Sequence, residues 1–106
     1  MYIRIQDNCI RYRVSRDEAN QLARGKTFQS SLALSPSHTL IYGINTTLES
    51  SRFEFDSNTN GLQLFINHDE LRAEVEGRPS KRGLVFSQPF SEKNISVSLE
   101  INLKRE

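Results

Sequence analysis

At 106 residues the chain is the size of one domain, residues 1–106, and either of its internal halves, about 1–50 and 51–106, would be too small for a core of its own. Hydrophobic residues at 36% and charged residues at 25% describe a globular chain with a thin core, which excludes a disordered or membrane-spanning class. Fourteen basic against thirteen acidic residues leave a formal charge of +1, which argues against nucleic acid as a partner, and one cysteine, Cys9, excludes a disulfide framework or a cysteine zinc site.

The first predicted element is a hairpin. Ile3 and Ile5 alternate on one face of a strand, Ile10, Tyr12 and Val14 on the next, and Asp7-Asn8 joins them so that Ile5 faces Ile10 and Ile3 faces Tyr12. Ser15 then reads as the cap of a helix, with Glu18 three residues on to reach back to it. Ala19, Leu22 and Ala23 form the apolar edge of that helix, and Gly25 is expected to end it in the left-handed conformation. Two more strands follow, through Phe28, Leu32 and Leu34 and, after Ser35-Pro36-Ser37, through Leu40, Tyr42 and Ile44.

The same order returns in the second half. Phe53 and Phe55 pair with Leu62 and Leu64, Asn67 caps a helix with Glu70 three residues later, Leu71 and Val75 give its buried edge, and Gly77 ends it. A strand through Leu84, Val85 and Phe86 meets Pro89, and Ile95, Val97, Leu99, Ile101 and Leu103 alternate in a long final strand. Ile10 to Gly25 thus recurs as Leu62 to Gly77 at one offset of 52 residues, while the later strands need inserted residues. This is the pattern of a duplicated strand-strand-helix-strand-strand unit.

The expected class is α+β, with about eight antiparallel strands in a curved sheet or barrel and two short helices. A barrel-like or strongly curved sheet with pseudo-twofold symmetry is favoured over a two-sheet sandwich, since closure at about eight strands hides the edges. In an open sheet the regular last strand is the natural edge.

The candidate chemistry lies on the other face of the first hairpin, where the same register sets Arg4 opposite Arg11 and Tyr2 opposite Arg13. Like charges opposed on a sheet are unfavourable unless compensated. Guanidinium forks can hold a phosphate, a carboxylate or a nucleic-acid backbone there, with Tyr2 as neighbour; alternatively acids of adjacent strands or of the first helix, such as Asp17 or Glu18, neutralise them. Phe65 points to the polar face near Arg52, which marks helix packing or a subunit interface. His68 starts a helix and reads as solvent-facing, His38 lies in a turn, Cys9 is an ordinary thiol, and no metal site is expected. The loop Gly77 to Gly83, with Arg78, Lys81 and Arg82, reads as a solvated connection. Asn45 and Asn94 match the glycosylation sequon, but no signal peptide precedes them, and the expected location is the cytoplasm. No phosphate-binding loop, dinucleotide fingerprint or nucleophile elbow is present.

The pattern Ile3-Arg4-Ile5, Asn8, Ile10-Arg11-Tyr12-Arg13-Val14-Ser15, Glu18, with Leu40 and Tyr42, resembles a family of short bacterial proteins, a domain of unknown function. That resemblance implies a bacterial, cytoplasmic protein and supplies no reaction, cofactor or catalytic residue. Many members carry a longer tail with a cysteine that this chain lacks. The residues themselves point to a non-enzymatic binding module, with a small anion or an acidic protein as partner, a homodimer as its assembly and neither membrane nor cofactor involved. The alternative is a small enzyme with its site between the halves, using Arg4, Arg11, Arg13 and Tyr12, and a third reading is a purely structural subunit.

Overall fold

Alternating apolar residues become eight strands, and the two capped stretches become helices, in the computed structural model, which describes residues 1–56, 61–77, 83–90 and 93–102. In chain order these are β1 (Tyr2–Gln6), β2 (Cys9–Val14), α1 (Arg16–Ala23), β3 (Phe28–Ser35), β4 (His38–Thr47), β5 (Arg52–Asp56), β6 (Gly61–Asn67), α2 (His68–Glu76), β7 (Leu84–Phe90) and β8 (Lys93–Ile101). The residues around 78–82 and Leu103 lie outside the described residues.

Four antiparallel hairpins combine in pairs. One sheet has the order β1-β2-β8-β7, the other β3-β4-β6-β5. Within each sheet the second strands of two hairpins run side by side and parallel, β2 with β8 and β4 with β6. The sheets are therefore mixed, where the sequence led us to expect antiparallel pairing throughout, and they stay separate instead of closing into a barrel. Hairpin pairing is local and readable from alternation; the pairing of one hairpin with another joins residues far apart in the chain, and alternation carries no information about it.

A second correction concerns β8. Its regularity suggested an edge, yet it sits between β2 and β7. Val97, Leu99 and Ile101 are buried because β8 is central, and that burial is the physical reason for the regular pattern.

Each sheet takes one hairpin from each half of the chain. Replacing β1, β2, β3 and β4 by β5, β6, β7 and β8, and the reverse, turns the first sheet order into the second. Tyr12 stands beside Leu99 as its counterpart Leu64 stands beside Ile44. All four are fully or almost fully buried, and with Val14, Ile66, Val97, Leu22 and Leu71 they form the centre of the core. Burying a side chain of this size contributes about 1.5–3 kcal/mol. The two sheets meet there, and the Tyr12 hydroxyl donates to the Leu62 carbonyl across them at 3.2 Å.

The first helix begins as its sequence requires. Glu18 N–H donates to Ser15 Oγ at 3.1 Å and Ser15 N–H to Glu18 Oε1 at 2.9 Å, a complete capping box. It ends at Gly25 with φ +95°, where Lys26 N–H reaches Gln21 O and Gly25 N–H reaches Leu22 O. The second helix differs at both ends. Asn67 Oδ1 accepts from Glu70 N–H at 3.0 Å, but Glu70 accepts a bond from Ser51 Oγ instead of reaching back. Gly77 is not left-handed (φ −86°); a Cβ there would lie 2.8 Å from Ala73 O, so lack of space, not backbone handedness, favours glycine.

His68, expected in solvent, joins the two helices. Its Nε2 lies 2.9 Å from Ala23 O, the last residue of α1. A carbonyl only accepts, so the proton sits on Nε2, and the ring satisfies one of the carbonyls left open at the end of α1.

Candidate functional site

The outer face of β1 and β2 has the geometry that alternation predicts. Arg4 pairs with Arg11 and Tyr2 with Arg13, and Asp7 takes φ +53° in the connecting turn. The four candidate residues nevertheless fall into two groups. Arg4 and Arg11 line a shallow pocket of about 90 Å³ with Gln6, Asp7 and Cys9. Tyr2 and Arg13 line a second one of about 240 Å³ with Met1, Val14, Ser15, Glu18 and Asn102.

In the second group the charged side chains are hydrogen-bonded or ion-paired. Arg13 Nη1 donates to the Tyr2 hydroxyl at 3.1 Å, and Glu100 of β8 is its register neighbour. That hydrogen bond and the Tyr2 oxygen, with a smaller effect from Glu100, hold Arg13 further into its charged form. Burial opposes ionisation of Glu18, but the Met1 ammonium at 2.6 Å and the Ser15 amide outweigh it and hold the carboxyl below its ordinary range.

In the first group they are not. Among the described residues neither Arg4 nor Arg11 has an ion-pair or hydrogen-bond partner. The acids expected to neutralise them are engaged elsewhere: Glu18 by the Met1 ammonium and Ser15, Asp17 by Gln21 Nε2 at 2.7 Å. Asp7 lines the same pocket and forms no ion pair within 4 Å among the described residues. Asp7, Gln6 and Cys9 were not read from sequence as site residues; the turn sequence and the period of two would have placed them there.

The outer face of β5 and β6 holds the equivalent positions. Arg52 pairs with Phe65 where Tyr2 pairs with Arg13, and Glu54 pairs with Gln63 where Arg4 pairs with Arg11. The Arg52 guanidinium lies 4.1 Å from the centre of the Phe65 ring, and its Nε donates to Glu54 Oε1 at 2.8 Å. Gln63 Oε1 accepts from Asn45 Nδ2 at 2.9 Å. Phe65 is half-buried, and what covers its ring is Arg52.

Tyr12 belongs to the core and not to this face. Burial pushes its phenol above the ordinary tyrosine value. Among the described residues no group of three or more His, Cys, Asp or Glu converges as a metal site, and no helix is long and apolar enough to cross a membrane.

Fold and face together define an α+β protein of two mixed sheets, one of which carries two uncompensated arginines on its outer surface. A family model matches residues 1–104, and the chain belongs to that family, a family of unknown function (DUF7009). No curated protein and no solved structure gives a significant match.

Proposed function

We propose that the protein is a non-enzymatic binding module that holds a small anion, a phosphate or carboxylate group, between Arg4 and Arg11. The observation that carries this reading is internal to the molecule. The fold accepts Glu54 and Gln63 at the equivalent positions, so it does not require two opposed arginines, yet Arg4 and Arg11 face each other with no ion-pair partner within 4 Å among the described residues, although Asp7 lines the same pocket. A bound anion removes the repulsion and gains charge-assisted hydrogen bonds. Gln6 adds a neutral donor at the rim. Tyr2 and Arg13 brace the hairpin beside the site, since an aromatic-arginine pair occupies the same row in both halves with the strands exchanged.

The enzyme alternative draws less support. The core between the halves is filled by apolar side chains, the pocket of about 140 Å³ that both halves line offers only Arg16 and Asn20 as polar side chains among its lining residues, and Tyr12, the acid/base candidate, is buried with its proton donated to Leu62 O. We also read the two halves as products of duplication, which accounts for the matched caps, core positions and sheet orders.

Thermal unfolding with inorganic phosphate, polyphosphate, nucleotides and organic acids tests the site. An anion at about 100 times its Kd stabilises the native protein by about 2.7 kcal/mol, a rise in Tm of roughly 10–20 °C for a chain this size. The Arg4→Ala, Arg11→Ala double variant is expected to keep its fold and lose that rise. An equal rise in both proteins, or none with any anion, overturns the reading.

A further inference from the structure

The two sheets leave four edge strands, and three of them carry features that discourage pairing with another chain. β1 carries Arg4, β5 carries Arg52, Glu54 and Asp56, and β7 contains Pro89, which has no N–H to donate. β3 carries none. Its eight residues, FQSSLALS, include no charge and no proline, and all but Phe28 are exposed. Its inward row, Phe28, Ser30 and Leu32, continues the core face of the sheet beyond the part that is covered: Phe28 packs on the core, while Leu32 is 54% exposed opposite Leu40. Leu34, at the register shift that ends the strand, is 63% exposed.

We propose that β3 is a self-association edge, pairing antiparallel with β3 of a second copy of this chain so that two four-stranded sheets become one sheet of eight. The occupant follows from charge. A two-fold antiparallel pairing sets the central residue of the strand opposite its own copy, so a charge at that position, Arg4 in β1 or Glu54 in β5, meets its own charge, which is unfavourable when directly opposed. Among the four edges only β3 escapes this cost on side chains and also keeps an N–H on every residue. Pairing in any register that keeps the two core faces on one side sets even-numbered residues opposite even-numbered ones. Phe28 and Leu32 of both copies then join one apolar strip, which also removes their exposed surface from water. This surface lies on the sheet that does not carry Arg4 and Arg11, and the inference stands apart from the anion reading.

Sedimentation equilibrium from micromolar concentration upward tests it, with Leu32→Lys as the variant and circular dichroism as the check on folding. The expected mass is two chains for the wild type and one for the variant, a two-fold fall. A wild type that stays at one chain throughout, even if it captures a foreign uncharged strand, overturns the proposal, as does a folded variant that stays at two. Should Leu32→Lys fail to fold, single cysteines in a Cys9→Ser background, Gln29→Cys, Ser30→Cys, Ser31→Cys and Leu32→Cys, decide the question. Mild oxidation is expected to link two chains at the position that lies on the two-fold axis, while Glu54→Cys on the β5 edge is expected to stay unlinked. Equal linking on both edges, or none at any of the four β3 positions, overturns it.

Discussion

The two outer sheet faces share one backbone plan and differ in what their side chains leave unfinished. On β5 and β6, Arg52 lies over Phe65 and bonds Glu54, while Gln63 accepts from Asn45. On β1 and β2, the aromatic-arginine row is equally complete, with Tyr2 and Arg13 exchanged between strands, but the next row holds Arg4 and Arg11 alone. Because the fold is the same at both places, the difference is not a folding requirement. It separates side chains that brace a hairpin from two that have no partner among the described residues, which is the basis of the proposed anion site.

The largest effects test the shared plan. Leu64→Ala empties a fully buried position and should cost about 2–5 kcal/mol in urea unfolding, with the spread set by how far the core collapses. At the counterpart position Tyr12→Phe keeps the volume and loses only the hydrogen bond to Leu62 O, about 0.5–1.5 kcal/mol. If Tyr12→Phe cost as much as Leu64→Ala, the two positions would not be equivalent.

Next comes an exchange of the contrasting row. Arg4→Glu with Arg11→Gln gives the first hairpin the residues of the second. Without ligand, calorimetry should show stability unchanged or raised by about 0.2–1 kcal/mol as the repulsion goes, and the anion-dependent rise in Tm should vanish. A large loss of ligand-free stability would instead make the two arginines structural.

On the completed face, Arg52→Ala removes a cation-π contact and exposed ion pairs, and chemical denaturation should register a loss of about 0.5–1 kcal/mol. The smallest effect concerns Glu18, whose folded carboxyl is held below its ordinary value. A lowered folded pKa stabilises above the unfolded value and is lost as pH falls through the folded one. Wild type should therefore lose more stability than Glu18→Gln on acidification from about pH 5 to pH 2, and parallel acid titrations of the two proteins would refute this.

Much of the site was legible because a strand has a period of two. Once Asp7-Asn8 is taken as the turn, Arg4 must face Arg11, and no tertiary information is needed. What could not be read was which acids are free. Asp17 and Glu18 are close in sequence to these arginines, yet Gln21, the Met1 ammonium and Ser15 take them, a matter of three-dimensional approach. His68 was misplaced for a related reason: a helix start is usually exposed, but here the end of α1 is packed against it.

Caps, glycine conformation and alternation act over a few residues, so the ten elements, the capping box at Ser15, the left-handed Gly25 and the inward rows of β2, β6 and β8 are legible along the chain before it folds. Tertiary structure alone decided that hairpins of different halves share a sheet, that their inner strands run parallel, that β8 is central, and that β3 is left uncharged at an edge. Those choices join residues tens of positions apart, and they are settled by which arrangement buries both apolar faces together, a property of the whole chain that no short stretch of it records.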